Sequence, residues 1–216
     1  MTQAPLLSVS DGGTLDSLTA DDRAKLGVLL SALRLRDRET FAHSRRTARL
    51  SLMLGRGLGM NAAELRTLFL GALLHDVGKI AVPDAVLHKP GRLTDDEWAT
   101  MRRHPDDGKA LLAGLDFLDG AALAVVQHHE RWDGTGYPAG LRGRRIDPSA
   151  RALAVADAFD VMTHHRDYRP AHCSHTEALA ELERCAGTQF DPHVVKVFCR
   201  LVRRLPSRAR VSSMTA

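Results

Sequence analysis

Eight side chains of the metal-holding kind punctuate this chain: Glu39, His43, His75, Asp76, His104, His128, His129 and Asp157. No cysteine stands among them. Neutral imidazoles suit borderline divalent ions, and a carboxylate can bridge two of them. Such a centre turns water into hydroxide near neutral pH and neutralises a phosphate. The chemistry these residues predict is phosphoester hydrolysis.

Each residue taken alone has a plainer explanation. Glu39 and His43 are four apart, so they face one side of a helix. An ordinary surface pair has the same spacing. His75-Asp76 closes the apolar run LFLGALL, and His128-His129-Glu130 follows AALAVVQ. Polar groups at the edge of a core need partners. Asp157 lies inside ALAVADAF, where a lone buried carboxylate is costly unless paired or metal-bound. Apolar helices that all deliver such groups point to one shared centre, with the groups near the helix ends.

Those helices are legible from their caps. Thr19 with Asp22 reads as a capping box before Leu26, Leu29, Leu30 and Leu33. A second helix is predicted over 39–56, with His43, Thr47, Leu50 and Leu54 on one stripe. Asn61 with Glu64 opens a third that ends near His75-Asp76, where Gly78 and Pro83 break the pattern. Thr94 with Glu97 opens a short helix ending before His104-Pro105, and another covers 106–114. Asp119 is expected to cap the helix that carries His128 and His129. Residues 131–147 form a long loop with Gly134, Gly136, Pro138, Gly140 and Gly143, and loops of that length are usually functional. A helix over 148–162 carries Asp157 and Asp160; Ser174 with Glu177 and Asp191-Pro192 open the last two.

The chain of 216 residues fits one domain. The prediction is an all-α, compact helical bundle over 19–205, with loose tails at 1–18 and 206–216. The net charge of +4 suits an anionic substrate and does not argue for nucleic acid. Arg203, Arg204, Arg208 and Arg210 read as a solvated basic end. Cys173, Cys185 and Cys199 form no CxxC pair and read as thiols of a reducing cytoplasm. The first residues lack a secretory pattern, no sensor segment is expected before the domain, and no apolar run approaches the roughly 18–20 residues of a membrane span. His88, His164, His165, His172, His175 and His193 read as surface or capping residues, and Trp132 as a packing anchor.

The order His43, His75-Asp76, Asp157 resembles the HD superfamily of metal-dependent phosphohydrolases. His104, His128-His129 and the loop Gly136-Tyr137-Pro138 narrow the resemblance to the HD-GYP family. It runs through HDVGKIAVPD, HHERWDGTGYP, VADAFD and GTQFDP, over about residues 35–200. The resemblance implies an HD-type helical fold with two or three divalent metal ions, iron or manganese. It also implies phosphodiesterase action on cyclic di-GMP. By motif, His43, His75, Asp76 and Asp157 would hold a first metal, and Asp76 would bridge to a second held by His104, His128 and His129. Glu39 matches the position that marks members with a third. His75, Asp76 and Lys79 match catalytic positions; Lys79, Tyr137, Arg166 and Arg169 match substrate contacts. Asp160 matches a recurrent acidic position near the metals.

The mechanism so implied is in-line attack by a metal-bridging hydroxide, giving pGpG, with GMP as the product of a second cut. The GYP loop also resembles a docking site for diguanylate cyclase (GGDEF) domains. Two departures bear on substrate preference. His164-His165-Arg166-Asp167 replaces the usual Ser-Asp before the arginine, and Arg144-Arg145 stand where acidic residues are common. Two alternatives therefore stay open: a low-turnover binding or cyclase-docking module, and a hydrolase of another cyclic dinucleotide.

Overall fold

The computed structural model describes residues 13–164 and 173–205. Its α-helices, in chain order, are α1 Ala20–Arg36, α2 Arg38–Gly57, α3 Ala62–Leu74, α4 Asp84–Leu87, α5 Asp95–Met101, α6 His104–Leu112, α7 Asp119–Gln127, α8 Pro148–Thr163, α9 His175–Arg184 and α10 Pro192–Arg204. Three 3-10 turns lie at Val77–Ala81, Asp116–Leu118 and Gly143–Arg145. No strand occurs among the described residues, so the all-α bundle is the observed architecture. No helix among them is long and apolar enough to cross a membrane.

Most boundaries follow from capping chemistry. Thr19, Asn61, Thr94 and Ser174 each close a reciprocal capping box, which satisfies amide donors that the first turn leaves open. Asp191 accepts the His193 amide at 2.8 Å, with Pro192 as the first helical residue. Asp119 departs from expectation: it is the first residue of α7, and the cap position falls to Leu118, which makes no side-chain bond. The preceding 3-10 turn runs straight into the helix, so no capping oxygen is required there. Helix α6 starts at His104, two residues earlier than predicted, which puts that imidazole on its first turn.

From Leu68 to Leu74 helix α3 is apolar all round and buried, and it forms the centre of the bundle. Leu68, Phe69, Leu70, Leu73 and Leu74 are all buried. It packs against α2, α7 and α8. A helix without a polar face has to be covered on every side. Where α3 meets α7, a Cβ at Gly71 would stand 2.7 Å from the Ala124 Cβ. Glycine thus lets two helices that both end in candidate ligands approach closely.

The tail expected over 1–18 needs correction at its inner end. Leu15 is 3% and Leu18 8% exposed, and both belong to the main core cluster. Arg23 fixes the segment by donating to the carbonyls of Leu15 and Leu18 at 2.8 and 3.3 Å. The neighbouring Gly, Ser and Thr residues suggest a loose segment, but two leucines three apart find apolar surface to cover. Residues 1–12, 165–172 and 206–216 lie outside the described residues, and so do the expectations that fall on them.

Gly71→Ala is expected to cost about 1–3 kcal/mol of stability, the usual range for overpacking. Urea unfolding would measure it. Ala124→Gly in the same background should recover part of that loss, and strict additivity of the two changes would contradict the contact.

Candidate metal centre

Five segments deliver the predicted side chains. His43 comes from α2, His75 and Asp76 from the end of α3, His104 from the start of α6, His128 and His129 from the end of α7, and Asp157 from within α8. His43 and Asp157 therefore sit inside their helices rather than near the ends. Both helices lie alongside α3, and their mid-length positions reach the level where α3 stops. Gly78 brings the remaining segment in. A Cβ there would overlap the His104 carbonyl and the Gly108 amide, so only glycine allows the first turn of α6 to rest on the turn after Asp76.

Among the described residues, two groups of three have ligand atoms within 4.8 Å of one another: His43, His75 and Asp157, and His104, His128 and His129. Asp76 stands between them. Its Oδ2 is 3.4 Å from His75 Nε2, and its Oδ1 is 3.4 Å from His104 Nε2. Asp157 Oδ1 is 2.9 Å from His43 Nε2 and 3.8 Å from His75 Nε2. Seven of the eight predicted residues thus converge. Glu39 is in neither group; it stands one helical turn before His43.

The imidazoles are aimed by their second nitrogen. His75, His104 and His128 each donate from Nδ1 to the carbonyl three residues earlier, at 2.9, 2.8 and 2.7 Å. A carbonyl only accepts, so Nδ1 carries the proton and Nε2 presents a lone pair. His43 reaches the same state through Asp160, whose Oδ2 is 2.7 Å from its Nδ1. Asp160 is fully buried and is held by Arg46 through two bonds of 2.9 Å. His164 is the C-cap of α8, within the surface-or-capping expectation, and its Nδ1 lies 3.0 Å from Asp160 Oδ1, so it also joins this supporting layer.

This donor set fits divalent metal ions. The Nε2 atoms of His104 and His128 are 3.3 Å apart. Two lone pairs that face each other at this distance repel, and a cation between them removes the repulsion. Nitrogen–metal bonds of roughly 2.0–2.1 Å give a donor separation of about 3 Å. Outer-shell bonds to the opposite ring nitrogen are the usual way to orient such ligands.

The charge states agree. Burial pushes the His75, His104 and His128 imidazoles down, and holds His129 at about 3. Burial alone would raise Asp76, but Lys79 and the surrounding imidazoles hold it well below the carboxylate range. Burial would also raise Asp157, which the His43 bond brings to about 2. For His43, burial opposes the charged form, but Asp157 and Asp160 together raise its pKa. The neutral imidazoles of His75, His104, His128 and His129 beside ionised carboxylates are in the forms that bind metal, whereas His43 would give up a proton on binding it.

The remaining predicted residues surround this core. Lys79 Nζ donates to Asp76 Oδ2 at 2.7 Å. Tyr137 stacks on His129 with ring centres 4.8 Å apart, and burial raises its phenol so that it stays neutral. Arg102 lies over the same ring, 5.4 Å from its centre. Arg166 and Arg169 lie outside the described residues. Sequence reasoning missed Arg46, Arg102 and the role of Glu130. Arg46 could have been sought one turn beyond His43; Arg102 carried no signal beyond its nearness to His104.

Glu130 shapes the loop. It is 4% exposed and accepts the Ala139 and Leu141 amides at 2.7 and 2.9 Å. Gly136 passes so close that a Cβ would come within 2.6 Å of the His129 carbonyl oxygen. Trp132 anchors the other side. Its amide donates to Gln189 O at 3.1 Å, and Arg151 covers its ring. The packing reading of Trp132 therefore holds.

Asp160→Asn is expected to weaken metal binding about 10- to 100-fold, because the variant loses the charge that fixes His43. Calorimetric metal titration of folded protein would measure it. Unchanged affinity would remove Asp160 from the supporting layer.

A family model described as an HD domain matches residues 27–194. The cyclic di-GMP phosphodiesterase response regulator RpfG of Xanthomonas campestris is 41% identical over 189 residues, covering 87% of this chain and 50% of that protein. The 3'3'-cGAMP-specific phosphodiesterase 2 of Vibrio cholerae is 37% identical over 171 residues, covering 78% of this chain and 33% of that protein. A solved cyclic GMP-AMP specific phosphodiesterase from Vibrio cholerae superposes with a TM-score of 0.66 at 22% identity, covering 87% of this chain and 49% of that one, a likeness of fold. The chain spans half or less of the length of these relatives. With its ligand order and its GYP loop in place, the chain belongs to the HD domain family, in the HD-GYP branch.

Proposed function

We propose that this chain is a metal-dependent phosphodiesterase that hydrolyses cyclic di-GMP to pGpG, with GMP as the product of a further cut. The observation that carries the reading is the pair of three-donor groups joined through Asp76. Bound divalent ions supply Lewis-acid activation of water and offset phosphate charge. His43, His75, Asp76 and Asp157 would hold one ion, and Asp76, His104, His128 and His129 the other. Glu39 is the proposed further ligand for a third. The mixture of imidazole and carboxylate suits iron or manganese.

The chain's own residues supply the rest. Lys79 Nζ, 2.7 Å from Asp76 Oδ2, places a positive charge beside the reacting phosphate and has protons to give the leaving oxygen. Tyr137, neutral and stacked on His129, can donate its hydroxyl to a phosphate oxygen without adding charge. Arg102 adds a guanidinium at the same wall, where its planar fork suits phosphate oxygens. Arg166 and Arg169 are assigned phosphate contacts on their motif positions alone.

A cytoplasmic location belongs to this reading, since the three cysteines are free thiols and the messenger is intracellular. A GGDEF domain is the proposed partner of the GYP loop, whose Thr135, Pro138, Ala139 and Gly140 are exposed. The second reading is hydrolysis of a hybrid cyclic dinucleotide, which the name of the relative at 37% identity favours. Nearly the whole predicted ligand set converges, which speaks against a binding module that has lost its chemistry.

Anaerobic protein loaded with Fe(II) or Mn(II) should convert cyclic di-GMP to pGpG or GMP, resolved by chromatography. A chelator should abolish turnover and added metal restore it. His75→Ala and Asp76→Ala should each lower kcat/KM by more than about 100-fold, beyond the effect of outer-shell partners. Protein holding two metal ions per chain with no product would sink the reading. Lys79→Met should lower kcat by about 100- to 1,000-fold with metal content retained; a change confined to KM would make Lys79 a binding residue only.

A further inference from the structure

We infer that Arg102, held beside Tyr137 by Trp98, grips the phosphate of a cyclic dinucleotide that is not being cut. The inference deepens the proposed function and rests on it for the place of the phosphate that is cut. His128, His129, Asp157, Tyr137 and Arg102 line one cavity of about 510 Å³. Sites for small ligands run to roughly 300–1,000 Å³, so the volume suits such a ligand. Ring contacts set the order of groups along its wall. Tyr137 stacks on His129 with ring centres 4.8 Å apart, and the Arg102 guanidinium carbon stands 5.4 Å from the centre of the Tyr137 ring. The cation is thus one ring removed from a predicted metal ligand, in the same cavity.

Arg102 has donors to spare. Its neighbour Arg103 pairs with Asp107 at 4.0 Å. Among the described residues that line the cavity there is one other arginine, Arg131, and it is engaged by Asp133 at 3.0 Å and Thr135 at 2.9 Å. The Arg102 side chain makes no hydrogen bond and no ion pair among the described residues. It stands over two rings instead, 5.8 Å from the centre of Trp98 and 5.4 Å from that of Tyr137. A ring face attracts a cation through its charge and leaves the N–H donors unspent. A guanidinium carries these donors in a fixed fork that matches phosphate oxygens.

Trp98 is placed to hold that cation. It lies one turn earlier, and the Arg102 amide donates to the Trp98 carbonyl at 2.9 Å. Side chains four apart on a helix are neighbours. The turn is itself anchored, since Thr94 closes the capping box of α5 and Lys89 donates to both oxygens of Glu97 at 2.8 and 2.6 Å. Trp98 is 46% exposed and is not among the residues that line the cavity, so it acts through Arg102 as a positioning residue. A cyclic dinucleotide carries two phosphates on opposite sides of its ring. When one meets the metal ligands, the other needs a cation wherever it leaves water. Arg102 supplies it, and so favours ligands with two phosphates over those with one.

The Mn(II)-loaded full chain tests this. A bis-phosphorothioate analogue of cyclic di-GMP that resists cleavage gives Kd by calorimetry, and cyclic di-GMP gives kcat and KM. Arg102→Gln should weaken binding of the analogue about 10- to 100-fold, the range of hydrogen bonds to a charged group. It should raise KM more than it lowers kcat. It should also lower kcat/KM for cyclic di-GMP at least about tenfold more than for bis(p-nitrophenyl) phosphate, a diester with one phosphate. Trp98→Leu should weaken the analogue about two- to fivefold, and Trp98→Phe, which returns a ring, should recover most of that loss. In the Arg102→Gln background Trp98→Leu should add nothing, because no cation is left to hold. Melting curves and metal content would confirm that each variant is folded and loaded. Unchanged analogue affinity in Arg102→Gln, full additivity of the two changes, or equal losses on both substrates would overturn the inference. Analogue binding that depends on Arg102 and Trp98 without any turnover keeps the phosphate grip and removes the enzyme. Turnover of cyclic di-GMP that Arg102→Gln leaves intact does the reverse.

Discussion

Three imidazoles in this protein are aimed by one device, the bond from Nδ1–H to the carbonyl three residues earlier. At the ends of α3 and α7 those carbonyls belong to the last turn, where helices leave acceptors unsatisfied. The histidines close these open acceptors and, by doing so, fix their own tautomer. The same bond thus terminates a helix and prepares a ligand. Without it the Nε2 lone pairs would not be committed to a common point, and the carboxylates would face an unordered set of rings.

The bond works only because the helices meet where it is needed. Gly71 and Gly78 are two of the positions where the meeting is tight. The first lets α3 and α7 touch at Ala124, and the second lets the start of α6 rest on the turn after Asp76. Both contacts exchange side-chain volume for backbone proximity. They bring His75, Asp76, His104 and His128 together from segments that are short and mutually rigid. Asp160 does for His43 what a carbonyl does for the others, since His43 lies inside α2 and has no open carbonyl to use. A buried carboxylate in that place needs its own counter-charge, which Arg46 provides.

The site and its surroundings divide the work by polarity. Around the donors, burial keeps His75, His104, His128 and His129 neutral, and the carboxylates are held ionised by Lys79 and His43. The cavity that Asp157 lines is also lined by Ala154, Ala158 and Met162 of α8, which are apolar. Thr135, Gly136 and Tyr137 of the GYP loop line the same cavity. Glu130 holds that loop from within through two backbone amides, so its shape is set by a buried anion rather than by side chains at its tip.

Most of the helices and the kind of chemistry at the centre were legible in the order of residues, the short α4 excepted. Capping boxes at Thr19, Asn61, Thr94 and Ser174 depend on residues three apart, and so they can be read locally. The ligands were legible for a related reason: histidines and acids that interrupt apolar runs are costly without a shared purpose. Which groups support them emerged only when the helices packed. Asp160 and Arg46 are separated by 114 residues and His43 and Asp160 by 117, distances over which no local pattern carries information. Leu15 and Leu18 were hidden by polar neighbours, because burial depends on what surface lies opposite. Arg102 and Glu130 likewise acquire their roles from backbone and rings that arrive from elsewhere in the chain. Local hydrogen bonds write themselves into short sequence patterns, whereas partnerships across the core exist only once the helices have packed.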